Sequence, residues 1–240
     1  MATECIILSG GQGTRLRSVV ADLPKSMATI AGKPFLWYLV QYFLRQGVAT
    51  FIFALGYMHE AIEAYLSSED SPFFHTNAQY KISVENEPLG TGGAIQKAAH
   101  LAETENVFIA NGDTLFEIDA DVLKKAHETT KALCTLALKP MKDFERYGVV
   151  ELDESNQVVN FKEKQYYAEG NINGGVYMLN AHRFLQLGLP EKFSFEKDFL
   201  EQQADHNTLF GILQNGYFID IGIPEDYGRA QAALPPLFGR

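Results

Sequence analysis

Short strand-like segments alternate with helix-like segments through the first half of the chain. Four runs have the length and the apolar character of strands: residues 5–8, 50–55, 80–85 and 106–110. Three segments between them carry apolar side chains at helical spacing: residues 35–44, 58–66 and 91–101. Strands that alternate with helices build βαβ units, and such units require a parallel sheet with helices on its faces. The order of the segments therefore predicts an α/β fold with a mainly parallel sheet.

The second half of the chain has a different pattern. Its predicted strands are residues 133–138, 147–152, 157–163, 174–179 and 217–221, and its predicted helices are residues 195–204 and 225–233. Residues 153–156 (DESN) carry a turn signal between two of these strands, which predicts an antiparallel hairpin. Because no linker or repeat interrupts the sequence, we expect residues 1–240 to form a single domain. Its second half would add antiparallel strands over the substrate.

The composition restricts the partners and the location of the protein. The 240 residues carry a formal net charge of −10 at pH 7, and this argues against nucleic-acid binding, which would need a basic patch. A few local cations and backbone N–H groups can still hold a small anion. Cys5 and Cys134 lie in apolar runs, which predicts buried thiols and no disulfide. With no signal-peptide pattern and no apolar run near the ~20 residues of a membrane span, we expect a cytoplasmic protein without a membrane partner.

A glycine-rich turn follows the first predicted strand. Gly10, Gly11 and Gly13 allow the backbone to turn sharply, so that its N–H groups can surround an anion. Neither the phosphate-loop pattern nor the GxGxxG dinucleotide pattern fits this spacing, which argues against an oxidoreductase. Arg15 and Lys25 supply positive charge nearby. On the glycines alone, a plain turn between a strand and a helix explains the segment equally well.

The longer segment is more specific. The motif GGxGTRLR, followed by Leu-Pro-Lys at 23–25 and Gly-Lys-Pro at 32–34, resembles the signature of the sugar-1-phosphate nucleotidyltransferases, or sugar-nucleotide pyrophosphorylases. That family has a Rossmann-like, three-layer fold. The resemblance implies that the first segment binds the nucleoside triphosphate through Leu8, Gly10, Gly11, Gly13, Thr14, Arg15 and Lys25. Arg15 and Lys25 would neutralise charge at the α-phosphorus and on pyrophosphate. Ser26 departs from the proline that the family usually has.

A second motif, residues 85–94 (ENEPLGTGGA), concerns recognition of the nucleotide base. It resembles the base-reading loop of the family, which implies nucleotide contacts from Glu85, Pro88, Gly90 and Thr91. A carboxylate only accepts hydrogen bonds, and guanine presents N1–H and its amino group side by side. Uracil presents only N3–H and fits less fully. The alternative for Glu85 is a solvated position at the end of a strand.

Two aspartates are candidate metal ligands. Asp113 follows a predicted strand in an Asn-Gly-Asp turn, and Asp220 lies in YFIDIGIPE. The resemblance implies that both bind Mg²⁺, that Asp113 is catalytic with Arg15 and Lys25, and that Gly112 lies against the ribose. Two carboxylates with phosphate oxygens and water make an oxygen shell suited to Mg²⁺. Without the resemblance, Asp113 is only a turn residue and Asp220 a helix cap.

Three short motifs resemble the sugar-binding side of the family. They are residues 146–150 (RYGVV), 163–164 (EK) and 173–177 (NGGVY). The residues that would bind the sugar phosphate are Gly148, Glu163, Lys164, Asn173 and Gly174. Gln165 departs from the proline that often follows the lysine. Taken alone, Glu163 and Lys164 would be an exposed surface pair.

The motifs together predict transfer of a nucleoside monophosphate from a nucleoside triphosphate to a sugar 1-phosphate. Residues 1–115 would mainly bind the nucleotide and residues 116–240 the sugar phosphate, with no C-terminal β-helix domain. Among short members, RLRSVVADLPKSMATIAGKPFL and YFIDIGIPEDY resemble most the guanylyltransferases that use GTP and D-glycero-α-D-manno-heptose 1-phosphate for bacterial cell-surface glycans. The alternatives are a uridylyltransferase for N-acetylmuramic acid 1-phosphate or another hexose 1-phosphate, and a non-catalytic sugar-nucleotide-binding regulator. The aromatic residues at 35–43 would be core or a subunit contact in a homo-oligomer.

Overall fold

A mixed nine-stranded sheet forms the centre of the computed structural model, which describes residues 3–11, 16 and 23–239. The strands are β1 (Thr3–Ser9), β2 (Thr29–Ile30), β3 (Lys33–Pro34), β4 (Val48–Leu55), β5 (Gln79–Val84), β6 (Asn106–Asn111), β7 (Thr114–Phe116), β8 (Cys134–Phe144), β9 (Val149–Leu152), β10 (Val158–Lys162), β11 (Tyr167–Asn180), β12 (Leu209–Leu213) and β13 (Phe218–Asp220). The helices are α1 (Phe35–Arg45), α2 (His59–Leu66), α3 (Gly90–Ala99), α4 (Ala120–Thr130), α5 (Ala181–Leu185), α6 (Glu201–Gln203), α7 (Pro224–Ala233) and α8 (Pro235–Phe238). The predicted α/β fold is confirmed.

Four parallel strands, in the order β5-β4-β1-β6, form one half of the sheet. Successive side chains of β1 enter different cores: Ile7 packs in the core that contains α1, and Ile6 in the core that contains α3. Both side chains are fully buried, and each such burial contributes about 1.5–3 kcal/mol. Burial on both faces explains why these strands are continuous apolar runs in the sequence.

The order of the parallel strands creates a crevice. From β1 the chain proceeds outward to β4 and β5, and then returns to the other side of β1 to form β6. At such a reversal the connections leave β1 on opposite sides, and the space above the carboxyl ends stays open for a ligand. The helix that was predicted at 35–44 is α1, and its aromatic side chains pack into the core.

The second half of the sheet is mainly antiparallel. The long strand β11 pairs with β6 on one side and with β8 on the other, and β12 lies parallel to β8. The predicted hairpin is confirmed as β9–β10. Its turn is closed by Asp153, whose Oδ1 accepts hydrogen bonds from the backbone N–H groups of Ser155 and Gln157 at 2.9 and 2.8 Å.

Some of the observed elements differ from the predicted ones. Helix α4 was not predicted, because only Ala120, Leu123 and His127 of its eleven residues are buried. Strand β12 was not predicted either. Residues 195–204 are not one regular helix: residues 195–200 form a π-helical turn, which is followed by α6.

Cys5 and Cys134 are buried free thiols, as expected. Among the described residues, no helix is long and apolar enough to cross a membrane.

Candidate active site

The carboxyl ends of the four parallel strands open into a cleft of about 920 Å³. This nucleotide-side cleft contains the glycine turn after β1, the turns after β4 and β6, and the start of α3. Ten of the residues predicted to bind the nucleotide or metal line it: Leu8, Gly10, Gly11, Lys25, Glu85, Pro88, Gly90, Thr91, Gly112 and Asp113. Gly13, Thr14 and Arg15 lie outside the described residues. Motifs that are up to 105 positions apart in the chain therefore meet in one cleft.

Glycine is required where the ends of β1 and β6 meet. The N–H of Gly112 donates to the carbonyl oxygen of Leu8 at 2.8 Å. A Cβ atom at position 112 would lie 2.4 Å from the same oxygen, which is closer than such atoms approach. The two strand ends therefore form one continuous cleft wall, with Asp113 directly after it.

Glu85 lies on the floor of the cleft. Its Oε2 accepts a hydrogen bond from the N–H of Leu89 at 3.1 Å. Its Oε1 lies 2.9 Å from where a Cβ of Gly10 would be and 2.4 Å from that of Gly56, so a side chain at either position would displace it. Within the described residues Oε1 has no hydrogen-bond partner. Burial raises the pKa of the Glu85 carboxyl, and the Leu89 N–H and Lys97 oppose that shift. Glu85 is a half-buried group facing the cleft, and the solvated strand end is the weaker interpretation.

The loop after Glu85 is held by a segment that sequence reasoning did not connect to it. The Thr91 Oγ1 accepts a hydrogen bond from the N–H of Phe195 at 2.9 Å. Two backbone hydrogen bonds of 3.0 Å join Phe193 to Leu89 and Gly92. Gly90 has φ +73°, and a Cβ there would lie 2.5 Å from the Phe193 carbonyl oxygen. Residues 193–195 thus fix the loop that was predicted to bind the base.

Lys25 and Asp113 form an ion pair in the nucleotide-side cleft. The Lys25 Nζ lies 2.9 Å from Asp113 Oδ2, and the two side chains are 17% and 32% exposed. Lys25 begins a 3-10 turn, residues 25–27, in which the adjacent Ser26 is buried. The hydroxyls of Ser9 and Ser26 both belong to residues that line this cleft, and neither has a hydrogen-bond partner in the described part of the chain. The Lys25–Asp113 ion pair thus places a cation and an anion side by side where the strand order reverses, between β1 and β6.

Asp220 lies next to Asp113 on a neighbouring strand. Strand β13 pairs with β7 so that Asp220 is opposite Thr114, and the Ile221 N–H donates to the Asp113 carbonyl oxygen at 3.0 Å. Burial raises the pKa of Asp220, and the nearby negative charge of Asp113 raises it further. Asp220 Oδ1 accepts from the Gly222 N–H at 2.7 Å and does not cap α7.

The carboxylate oxygens of Asp113 and Asp220 suit a hard divalent cation. Asp220 does not line the cleft that contains Asp113, but the negative charge of Asp113 acts on it and raises its pKa. Two neighbouring carboxylates offer oxygen ligands, and Mg²⁺ accepts one or two carboxylates together with phosphate oxygens. No group of three or more His, Cys, Asp or Glu side chains among the described residues could hold a metal. Beside Asp113 and Asp220, substrate phosphate oxygens and water could serve as ligands of such a cation.

A second cleft of about 190 Å³ adjoins the first. Four residues predicted to bind the sugar phosphate line this sugar-side cleft: Gly148, Glu163, Lys164 and Asn173. The Asn173 amide donates to the Tyr177 hydroxyl at 2.8 Å, and its oxygen accepts from the Gly175 N–H at 3.0 Å, so the amide is held in place with one N–H remaining. Gly174 lines neither cleft. A Cβ there would lie 2.3 Å from the ring of Phe116.

Glu196 is a functional candidate that the sequence did not indicate. It lies on the π-helical turn and lines both clefts. Surrounding protein raises the pKa of its carboxyl, Lys164 opposes that shift, and Asp113 adds to it. Its carboxylate therefore lies within electrostatic reach of both the predicted metal ligand and the predicted phosphate-binding lysine. The only available signal was a π-helical irregularity, which often marks a functional site but is not visible in the sequence.

Comparison with known proteins finds matches over nearly the whole chain. Residues 4–235 match the family described as nucleotidyl transferase. The chain is 52% identical over 231 residues to D-glycero-alpha-D-manno-heptose 1-phosphate guanylyltransferase of Aneurinibacillus thermoaerophilus, covering 96% of this chain and 98% of that protein. It is 43% identical over 224 residues to the protein of the same name from Campylobacter jejuni, with coverages of 93% and 96%. The crystal structure of HddC from Yersinia pseudotuberculosis complexed with GMP-PN superimposes with a TM-score of 0.81, at 36% identity, over 95% of this chain and 98% of that one.

Proposed function

Because the chain belongs to the nucleotidyl transferase family, as its motifs predict, we propose that it transfers a guanylyl group from GTP to D-glycero-α-D-manno-heptose 1-phosphate. The products are the GDP-sugar and pyrophosphate. The observation that carries the proposal is the junction of two clefts, one bearing Lys25, Asp113 and Glu85 and the other bearing Lys164 and Asn173. Each cleft matches one of the two substrates. The activity for which the relatives from Aneurinibacillus and Campylobacter are named supports the choice of base and sugar.

The nucleotide-side cleft suits guanine. The Glu85 carboxylate faces the cleft with one oxygen that accepts no hydrogen bond from the described residues, and guanine presents two adjacent donors to it. The glycine turn after β1 supplies backbone N–H groups for the triphosphate, with Leu8, Gly13, Thr14 and Arg15 assigned to it by the family motif. The GMP-PN complex of the structural relative supports a guanine nucleotide in this fold.

The reaction requires no general base. The phosphate oxygen of the sugar 1-phosphate is already ionised at neutral pH, and it attacks the α-phosphorus of GTP in line. The bond from the α-phosphorus to the bridging oxygen breaks, and pyrophosphate leaves with that electron pair. Catalysis then consists of positioning the substrates and stabilising charge. Lys25 in the nucleotide-side cleft neutralises charge on the phosphates, and Arg15 is proposed to act with it.

Asp113 and Asp220 would hold Mg²⁺. When bound there, the ion would neutralise phosphate oxygens and reduce the repulsion between the two anionic substrates. The Asp113 carboxylate, paired with Lys25 at 2.9 Å, keeps that ammonium group in the cleft. The adjacent main chain at Gly112 approaches the end of β1 closely enough to form the wall beside the ribose.

The sugar-side cleft receives the second substrate. We assign the phosphate to Lys164 and the sugar hydroxyls to Glu163 and Asn173, with Gly148 leaving room for the sugar against the backbone. Residues 1–115 thus mainly serve the nucleotide and residues 116–240 the sugar phosphate. Both proposed substrates are cytoplasmic metabolites, which favours a cytoplasmic enzyme.

The direct test of the chemistry is the substitution Lys25→Ala. We expect release of pyrophosphate from GTP and the heptose 1-phosphate to fall by more than about a thousandfold, since a charge that acts on the transition state is lost. The exposed Lys192, which lines neither cleft, provides the control Lys192→Ala with near wild-type turnover. Near-normal release by Lys25→Ala, with the wild-type melting temperature, contradicts the proposal.

A further inference from the structure

One arginine joins the predicted metal site to the sugar-side cleft. The Arg146 guanidinium contacts two carboxylates: Nη1 donates a short hydrogen bond to Asp226 Oδ2, and Nη2 lies 3.5 Å from Asp220 Oδ2. The hydroxyl of Tyr147 lies 3.5 Å from the same Asp220 oxygen. Two consecutive residues before β9, Arg146 and Tyr147, therefore contact the same oxygen, Oδ2, of the proposed metal ligand Asp220.

Asp226 fixes the far side of this arginine. Its side chain is only 8% exposed, in the first turn of α7. Its two oxygens are paired with different arginines, Oδ2 with Arg146 and Oδ1 with Arg229 at 3.0 Å. A buried carboxylate is stable only when it is paired in this way. The planar fork of Arg146 is thus anchored at one end and presented to Asp220 at the other.

The same backbone continues into the sugar-side cleft. Tyr147 and Gly148 directly follow Arg146, and both line that cleft. Meanwhile Asp220 Oδ1 is fixed by the Gly222 N–H, so the direction of Oδ2 depends on Arg146 and Tyr147. Any shift of residues 146–148 on binding of a sugar phosphate would move the two groups that contact Oδ2.

We propose that Arg146 is a positioning residue that couples occupancy of the sugar-side cleft to metal binding at Asp220. The inference rests on the proposed function, because it takes Asp220 as a metal ligand and the second cleft as the sugar site. Coupling between two binding sites is reciprocal. Sugar phosphate should therefore tighten binding of the metal, and the metal should tighten binding of sugar phosphate by the same factor.

The test is a calorimetric titration of Mn²⁺ into the enzyme saturated with a GTP analogue that has a methylene group in place of the α–β bridging oxygen, with and without heptose 1-phosphate. This analogue cannot transfer its guanylyl group during the titration. Mn²⁺ replaces Mg²⁺ because it shares the preference for oxygen ligands. We expect the sugar phosphate to tighten Mn²⁺ binding by about tenfold in the wild type, and by less than about twofold in Arg146→Lys, which keeps the charge and loses the fork. Tyr147→Phe, which removes only the hydroxyl, should lose part of the coupling.

Arg229→Lys is the matched control, because Arg229, which is 62% exposed, contacts Asp226 and makes no hydrogen bond or ion pair with Asp220. Wild-type coupling in this variant supports the inference. Equal losses in Arg146→Lys and Arg229→Lys would overturn it, since both would then act through the anchoring of α7. Wild-type coupling in both Arg146→Lys and Tyr147→Phe would also overturn it. Unchanged Mn²⁺ affinity in Asp220→Asn would instead reject the proposed metal site, a separate failure.

Discussion

Substitution of Glu85 by glutamine is predicted to change the choice of base. The side chain of Glu85 is half-buried, and its Oε2 accepts the Leu89 N–H at 3.1 Å. A glutamine oxygen can keep that hydrogen bond, which places the new NH₂ group where Oε1 faced the cleft. A donor then faces the N1–H and amino donors of guanine. Loss of one or two hydrogen bonds to a charged group removes about 2–4 kcal/mol, which lowers kcat/KM for GTP by roughly 30- to 1000-fold.

The assay compares kcat/KM for GTP and for ITP, which lacks the guanine amino group. The wild type should prefer GTP by about tenfold or more, while Glu85→Gln should use GTP and ITP almost equally because the contact with the amino group is gone. Glu87→Gln, an exposed neighbour on the same loop, should keep the wild-type preference. If Glu85→Gln lowers the activity with GTP, ITP and UTP by one common factor, Glu85 shapes the loop and does not read the base.

Three further predictions concern the pH dependence of stability and the sugar-side cleft. Burial of His127 lowers its pKa from 6.5 to about 4, so the unfolded chain binds a proton at this residue more strongly than the folded protein does. The neutral His127 therefore contributes its full stabilisation above pH 6.5, and this stabilisation is lost as the pH falls toward 4. Chemical denaturation should show about 2 kcal/mol of that loss between pH 7 and pH 5, and His127→Gln should not show it. In Gly148→Ala the new Cβ would lie 2.4 Å from the Lys162 carbonyl oxygen. Because the wall of the sugar-side cleft would have to shift, we expect the KM for sugar phosphate to rise at least about tenfold and the KM for GTP to stay unchanged. Glu196→Ala should raise the same KM about tenfold through loss of a hydroxyl acceptor; an equal rise in the KM for GTP would show that this residue does not act on the sugar.

The parallel half of the fold could be predicted because its strands are buried on both faces. Runs such as residues 50–55 are continuously apolar for that reason. Helix α4 escaped prediction because one narrow stripe of it is buried and the stripe includes His127, a residue that a hydropathy pattern counts as polar. The long strand β11 was predicted only over its apolar end, since Ile172 is the one buried residue among residues 167–173.

The meeting of the predicted nucleotide-binding motifs in one cleft could be predicted, because their residues lie in short, ordered segments of the sequence. Gly10, Lys25 and Asp113 each belong to such a motif, and the fold brings them to one edge of the sheet. The role of Glu196 depends on a π-helical turn, and the role of Arg146 depends on its contact with a helix 80 positions away. Contacts of that kind leave no periodic pattern in the sequence.

The most direct test of the proposed function is a matrix of ATP, CTP, GTP and UTP against heptose, mannose, glucose and N-acetylmuramic acid 1-phosphates, read as pyrophosphate release. The proposal predicts the highest kcat/KM for GTP with D-glycero-α-D-manno-heptose 1-phosphate, and loss of that preference for GTP in Glu85→Gln. Turnover only with UTP would contradict the assignment of the base to Glu85. Binding of GTP without turnover for any pair would contradict catalysis itself.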